Sequence, residues 1–343
     1  MWFKKVSPRL AGKSGYLLLL GVIIINALVQ GKGFFSGNNL SSVLSTNLPV
    51  VIAAIAQMII MLSGGIDISI GNVMAFTNVI AIALANTHGY PLGLSWAIAL
   101  AAGTLAGFTN GLIVGYVRVP PLLATFASSS LFLGVSLLVF PKPGGTVPPV
   151  IYKLYGGNWL GLPTSLWILI VVVLLMLLIA RYPFMRYISA VGSNERNAYA
   201  SGIAVDRIKL AAYTLSGFVA GIAGLCLTAL TASGNARIGN SFVLTSIAAV
   251  IIGGTLQSSK WRDYLGGAIA GALFLALVNN IVFFAFTGLS NHFPDWKIST
   301  FYQQLLSNFI IIGGLASAVL TNRTGKKRVK PQSVVEEAPD DAA

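Results

Sequence analysis

Residues 42–86, SVLSTNLPVVIAAIAQMIIMLSGGIDISIGNVMAFTNVIAIALAN, contain two long apolar runs and a single charged residue, Asp67. Each run approaches the roughly 20 apolar residues that a helix needs to cross a bilayer. A carboxylate between such runs is costly at membrane depth, by about 2.5 to 3.5 kcal/mol on insertion scales. The stretch therefore predicts two membrane helices joined by a short polar break.

The rest of the chain has the same character. Of its 343 residues 55% are apolar and 9% are charged, and its mean hydropathy is +0.80. An ordinary soluble domain has about a quarter charged residues, and disordered chains are poor in apolar residues. Both classes are excluded, and the composition indicates an all-α polytopic membrane protein.

The predicted transmembrane domain covers residues 14–322, between a short N-terminus at 1–13 and a disordered tail at 323–343. Ten stretches within it are apolar enough to be membrane helices, the third and eighth being short: 14–31, 42–62, 71–86, 93–117, 120–140, 162–181, 210–231, 242–256, 264–287 and 299–321.

The basic residues predict which way these helices cross the membrane. The chain has 22 Lys and Arg against 9 Asp and Glu. With alternating sides and a cytoplasmic N-terminus, 17 of the 22 are cytoplasmic, and the other five are Lys32, Lys142, Lys153, Arg237 and Lys297. This asymmetry is what the positive-inside rule expects, so both termini are predicted to be cytoplasmic and nucleic acid is not expected as a partner.

Two loops stand out between the predicted spans. The cytoplasmic stretch 181–209 is polar, and residues 194–202 within it predict a short helix ended by Gly202. We expect that helix to be a docking surface. The external stretch 141–163 is rich in Pro and Gly, which favours a loop or a short interfacial piece.

Small residues recur at helical spacing in two spans. Gly103, Gly107 and Gly111 lie on nearly one face of the fourth span, and Gly217 and Gly221 recur in the seventh. Such spacing predicts close helix contact. Polar residues inside spans must face protein or water, and these are Asn47, Gln57, Asn78, Asn110, Asn279, Asn280 and Asn308.

The polar break has two interpretations. In one, Asp67 and Ser69 cap the third helix at the membrane face, in contact with water. In the other, the Gly64–Gly65 break is part of a gated pathway, as broken helices are in other carriers. We expect the route of a hydroxylated solute to involve Gln57, Gly64, Gly65, Asp67, Ser69, Asn78 and Asn279. Two similar apolar strings, at 59–65 and 249–254, both end in Gly-Gly. They leave open whether the two halves of the chain are an internal repeat.

The sequence predicts no enzyme. It contains no HExxH or CxxC spacing and no GxxxxGK[ST] string. No catalytic residue, metal ligand or bound cofactor is therefore expected, and any ATP-driven work is expected of a partner.

Three strings together resemble the signatures of bacterial ABC importer permeases of the ribose, xylose and galactose type. They are SGGIDISIG at 63–71, AVGSNE at 190–195 followed by SGI at 201–203, and IAAVIIGGT at 247–255. The resemblance implies a permease in the bacterial inner membrane, two cytoplasmic ATPase domains that bind ATP and Mg²⁺, and a periplasmic binding protein that delivers a monosaccharide. The family's ATPase-coupling segment maps onto Asn194, Glu195, Arg196, Asn197, Ser201 and Gly202.

Some choices stay open at this point. The chain departs from the family pattern at Val243, Thr245 and 258–261, so the second permease subunit is either identical or a paralogue. The solute is a monosaccharide or polyol, or alternatively a nucleoside, a furanose signal or a branched-chain amino acid. An ion-coupled secondary carrier is disfavoured, since it needs titratable or ion-ligating groups in the spans.

Overall fold

The structure is a computed structural model that describes residues 14–254, 261–292, 302–303, 305–310 and 312–313. Its α-helices include α1 (Ser14–Gln30), α2 (Gly37–Leu62), α3 (Ile70–Asn86), α4 (Leu92–Gly115), α5 (Pro121–Val139), α6 (Pro149–Gly156), α7 (Thr164–Ile179), α8 (Phe184–Ser193), α9 (Glu195–Ala200), α10 (Val205–Thr231), α11 (Asn240–Ile252) and α12 (Trp261–His292). A small antiparallel hairpin joins β1 (Asn158–Trp159) to β2 (Leu162–Pro163).

The chain is an all-α polytopic membrane protein. Among the described residues, six helices are long and apolar enough to cross a bilayer: α1, α2, α4, α5, α10 and α12. The pair α7 and α8 is bent by 80° at a short break, and α3 and α11 are shorter apolar helices. Each of the first nine predicted stretches coincides with a helix. The tenth lies mostly outside the described residues, as do the predicted termini, so the count of ten and the orientation remain predictions.

Helix α2 illustrates how these elements begin and end. The Ser36 side chain accepts a hydrogen bond from the Asn39 amide at 3.3 Å and caps the helix. Gly64, with φ +85°, follows its last turn in the left-handed conformation that glycine adopts without strain. Pro49 lies buried in the middle. The resulting 26 residues are about 39 Å long at 1.5 Å per residue.

The tightest contact in the bundle is between α4 and α10. A Cβ added to Gly107 would lie 2.7 Å from the Cα of Gly217, and one added to Gly103 would lie 3.2 Å from the Cα of Gly221. The backbones therefore touch along several turns, which confirms the close packing that the glycine spacing predicts.

The bundle has two ends, defined by the loops that meet there. At the α9 end, Gly64 packs on Gly192, and Arg118 forms a 3.5 Å ion pair with Asp206. At the hairpin end, the Asn86 amide donates to the Thr146 carbonyl at 2.8 Å, and a β-bridge joins residues 144 and 234. At each end, the loops that meet are ones that the sequence predicts to lie on the same side of the membrane.

Candidate functional site

The break between α2 and α3 is a buried polar cluster. Asp67 is only 4% exposed, and its Oδ1 accepts hydrogen bonds from the amide and the hydroxyl of Ser69 at 2.7 and 2.6 Å. Ser69 is the N-cap residue of α3, but its side chain makes no capping bond. The interpretation of a water-contacting cap is therefore wrong, because Asp67 is enclosed and bound to its own loop.

Side chains from two neighbouring helices hold this loop. With its amide oriented to match its neighbours, Gln57 donates to the Asp67 carbonyl at 2.9 Å and accepts from the Asp67 amide at 3.3 Å. Asn110 of α4 donates to the Ser69 hydroxyl at 2.8 Å. The break is thus tied to α2 and α4 by side-chain hydrogen bonds, which fix its conformation.

Two further residues complete the cluster, and neither was predicted from the sequence. The Thr125 hydroxyl of α5 accepts from the Ile68 amide at 3.1 Å. Tyr213 of α10 is 1% exposed, and its hydroxyl would lie 2.8 Å from a Cβ at Gly65. Tyr213 precedes Gly217 by one helical turn, so the glycine spacing of α10 already marks the face that carries it.

The carboxylate of Asp67 is the only charged group among the buried residues that the structure describes. It lies in the link between α2 and α3, outside both helices. Burial raises the pKa of Asp67 to about 6, and the hydrogen bonds from Ser69 oppose that rise. The Ser69 amide and hydroxyl both donate to the carboxylate, and such bonds favour its charged form.

Two of the predicted pathway residues lie elsewhere. Asn78 is at the hairpin end, where it donates to the Thr228 hydroxyl at 2.8 Å and accepts from the Asn235 amide at 2.9 Å. Asn279 is half-buried on α12, a helix that packs on α1, α2 and α11. The predicted set thus separates into the cluster around Asp67 and two distant positions.

The short helix predicted within 194–202 is present as α9, and its role in docking stays a prediction. The Asn194 side chain accepts from the Asn197 amide at 3.0 Å and caps the helix, while Ser201 and Gly202, with φ +80°, end it. The Glu195 carboxylate pairs with the Lys209 ammonium at 2.5 Å. Residues 184–202, which comprise α8 and α9, are called the coupling segment below, after the role predicted for residues 194–202.

An open groove of about 610 Å³ lies beside α9. Its walls are α9, the turn between α4 and α5, and the first turn of α10. Tyr199 is 75% exposed on one wall and Tyr116 is 50% exposed on another. Sequence reasoning missed the contribution of the α4–α5 turn, although Arg118 in that turn was assigned to the same side as α9.

The coupling segment touches the polar break directly. A Cβ on Gly192 of α8 would collide with the carbonyl oxygen of Leu62, the last residue of α2. A Cβ on Gly64 would lie 3.2 Å from the Cα of Gly192. No side chain stands between the two backbones, so a displacement of α8 acts on the end of α2 without an intermediary.

Comparison with known proteins gives a consistent result. A family described as "Branched-chain amino acid transport system / permease component" matches residues 39–315. The ribose import permease protein of Haemophilus influenzae is 31% identical over 319 residues, which cover 90% of this chain and 94% of the relative. A probable ABC transporter permease protein of Escherichia coli K12 is 32% identical, with 95% of each chain covered. The fructose import permease protein of Rhizobium meliloti is 30% identical, with 76% of this chain and 74% of the relative covered. No solved structure matches.

Proposed function

The chain belongs to the family of branched-chain amino acid transport system permease components, and from that premise we propose that it is the membrane-spanning subunit of an ABC importer for a monosaccharide or a related polyol. The observation that carries this proposal is the 31% identity to a ribose import permease along 90% of the chain. The sequence contains no GxxxxGK[ST] string, so we assign ATP hydrolysis to separate subunits.

The proposed assembly follows from that role. Two permease subunits, identical or paralogous, lie in the bacterial inner membrane with ten spans each and cytoplasmic termini. A cytoplasmic ABC ATPase that binds ATP and Mg²⁺ docks at the α9 end, and a periplasmic sugar-binding protein delivers solute at the other end. The orientation is supported by the loop contacts, which join only loops predicted to share a side.

We propose that the coupling segment passes the movement of the ATPase to the pathway. The exposed α9 and its groove offer the docking surface, and Gly192 transmits displacement to the end of α2. A partner shifts a conformational equilibrium only through contacts that differ between the two states. We propose the Asp67 cluster as the element that responds, because its bonds to α4 and α5 join the break that α8 touches to two neighbouring helices.

The buried polar residues favour a neutral solute. Among the residues that the structure describes, the buried set contains no Lys or Arg, and Asp67 Oδ1 is bound by Ser69. A zwitterionic amino acid needs both charges satisfied in a medium without water, whereas hydroxyl groups are satisfied by amides. Gln57, Asn78 and Asn279 are the proposed lining residues, and the first two must release their present bonds to Asp67, Thr228 and Asn235 before they bind solute. The binding protein supplies most of the specificity.

A binding assay and a transport assay together test this function. In a thermal-shift series with the cognate binding protein, we expect ribose, fructose or another sugar to raise the unfolding temperature. In proteoliposomes that contain permease, ATPase and binding protein, the same sugar should enter only with ATP. Stabilisation by leucine alone contradicts the sugar assignment, and uptake without the ATPase indicates a secondary carrier.

A further inference from the structure

Helix α6 and the β-hairpin are hydrogen-bonded to the first three turns of α2. The buried Tyr155 hydroxyl of α6 donates to the Ser45 carbonyl at 2.7 Å. Ser45 lies eight residues after the start of α2 at Gly37, which is about 12 Å along the helix axis. Since α2 exceeds the roughly 30 Å hydrocarbon core by only about 9 Å in total, α6 cannot stand clear of the membrane.

The hairpin lies at a similar level. The Ser41 hydroxyl of α2 donates to the Asn158 side chain of β1 at 3.4 Å, and Ser41 is about 6 Å from the start of α2. The hairpin leads directly into α7, whose outward face is apolar and exposed at Val171 and Leu174. The outer surface of the hairpin is therefore continuous with a lipid-facing helix.

The turn of this hairpin holds a leucine in a strained conformation. Leu160 and Gly161, the two residues between the strands, have φ of +52° and +78°. A two-residue turn with positive φ at both positions favours Asn or Gly, and a leucine there is an outlier that invites a functional explanation. The Leu160 side chain stands 73% exposed at the tip.

The surface around this tip is apolar, aromatic and cationic. Trp159 is 56% exposed and packs edge-to-face with Trp167 at 5.6 Å between ring centroids. Aromatic side chains of this kind concentrate at the boundary between headgroups and hydrocarbon. Residues 119–180 contain two lysines, Lys142 and Lys153, and no carboxylate. A surface that combines indole rings with lysines, within a stretch that contains no carboxylate, suits anionic phospholipid headgroups.

We propose that residues 149–163 form a lipid-binding surface that lies in the headgroup zone of the bilayer at the hairpin end. Trp159 and Leu160 enter the boundary with the acyl chains, and Lys153 faces lipid phosphate. The surface fixes the height of the bundle in the membrane. A soluble binding protein must then dock on the other loops of that end, because lipid covers this one.

Site-directed spin labelling tests this placement. The natural Cys226 is buried, so a nitroxide reagent can be directed to a new surface cysteine, with the parent chain as the blank. The test variant is Leu160→Cys. His88→Cys, in an exposed turn at the same end, is the water control, and Leu174→Cys, on the outer face of α7, is the bilayer control. Each is reconstituted in phosphatidylcholine vesicles with and without phosphatidylglycerol.

Collision rates with oxygen and with a neutral nickel chelate report the depth of each label. We expect the label at 160 to give an oxygen-to-nickel ratio between those of the two controls, and Lys153→Gln to lower that ratio only when phosphatidylglycerol is present. A label at 160 as accessible to nickel as the one at 88 overturns the proposal. So does nickel access at 160 that falls only when the binding protein is added, since a protein then covers this surface.

Discussion

The α4–α10 interface and the coupling segment use glycine in opposite ways. Between α4 and α10, Gly107 and Gly217 bring two long helices into backbone contact over several turns. In the coupling segment, the single glycine contact of Gly192 joins a ten-residue helix to the end of α2. The first arrangement locks two helices into one body, and the second lets a short helix press on α2, which packs against α10. Movement is therefore expected in the coupling segment, against a rigid α4–α10 pair.

The largest expected effect is a loss of stability at the α4–α10 interface. In Gly107→Ala, the new Cβ would collide with the Tyr213 carbonyl and lie 2.7 Å from the Gly217 Cα, so the helices must separate. We expect a loss of about 1 to 3 kcal/mol or more, measured as a lower unfolding temperature in detergent. Gly93→Ala, on the same helix but with open space around it, is the control and should not destabilise. Equal unfolding temperatures for the two variants would show that α4 and α10 are not interlocked.

The second largest effect is expected on transport, from a substitution at the contact between α8 and α2. Gly192→Ala places a methyl group against the Leu62 carbonyl and lifts α8 from the end of α2. We expect uptake in the reconstituted importer to fall about tenfold, which corresponds to about 1.4 kcal/mol, while the ATPase still co-purifies. Gly134→Ala is the control, because no atom lies near its Cβ position and it lies on α5, outside the coupling segment. Full uptake by Gly192→Ala contradicts the direct contact as the transmitting element.

A smaller effect is expected at the docking surface. Glu195→Lys removes the ion pair with Lys209 and sets two cations together. Since the Glu195 side chain is 54% exposed, we expect less than about 1 kcal/mol of lost stability, but reduced ATPase co-purification and uptake. The double variant Glu195→Lys, Lys209→Glu restores the pair and should recover assembly in part. If Glu195→Lys co-purifies the ATPase and transports normally, α9 has no part in coupling.

The smallest expected effect is local. Asn194→Ala removes the cap of α9, which costs about 1 kcal/mol of helix stability. Hydrogen exchange of the amides in 195–200 should become faster, with the α4–α10 region unchanged. Asn194→Asp keeps an acceptor at the cap and should retain the slow exchange. A uniform acceleration throughout the chain is inconsistent with an independently mobile segment.

The sequence predicted those parts of the fold that depend on local pattern. Apolar runs located the helices, glycine spacing located the α4–α10 contact, and the Asn194 to Gly202 signals located α9. Each of these signals is carried by neighbouring residues in the chain, through hydrophobic period, helix capping or small-residue spacing.

The features that were missed depend on contacts between distant segments. The enclosure of Asp67 requires Asn110 and Tyr213 from two other helices. The groove beside α9 requires the turn at Arg118, which lies more than 70 residues earlier in the chain. The 80° bend between α7 and α8 follows the tertiary contact of α8 with α2. Single-sequence patterns carry no information about which helix faces meet.

Pro49 in the middle of α2 affects how the peripheral helix α6 is attached. Proline has no amide hydrogen, so the carbonyl four residues earlier, that of Ser45, has no donor within the helix. The phenol of Tyr155 supplies that missing donor. An interruption at the centre of one helix thus creates the acceptor by which a peripheral helix attaches. If residues 149–163 set the height of the bundle as we propose, that height depends on a buried imino acid.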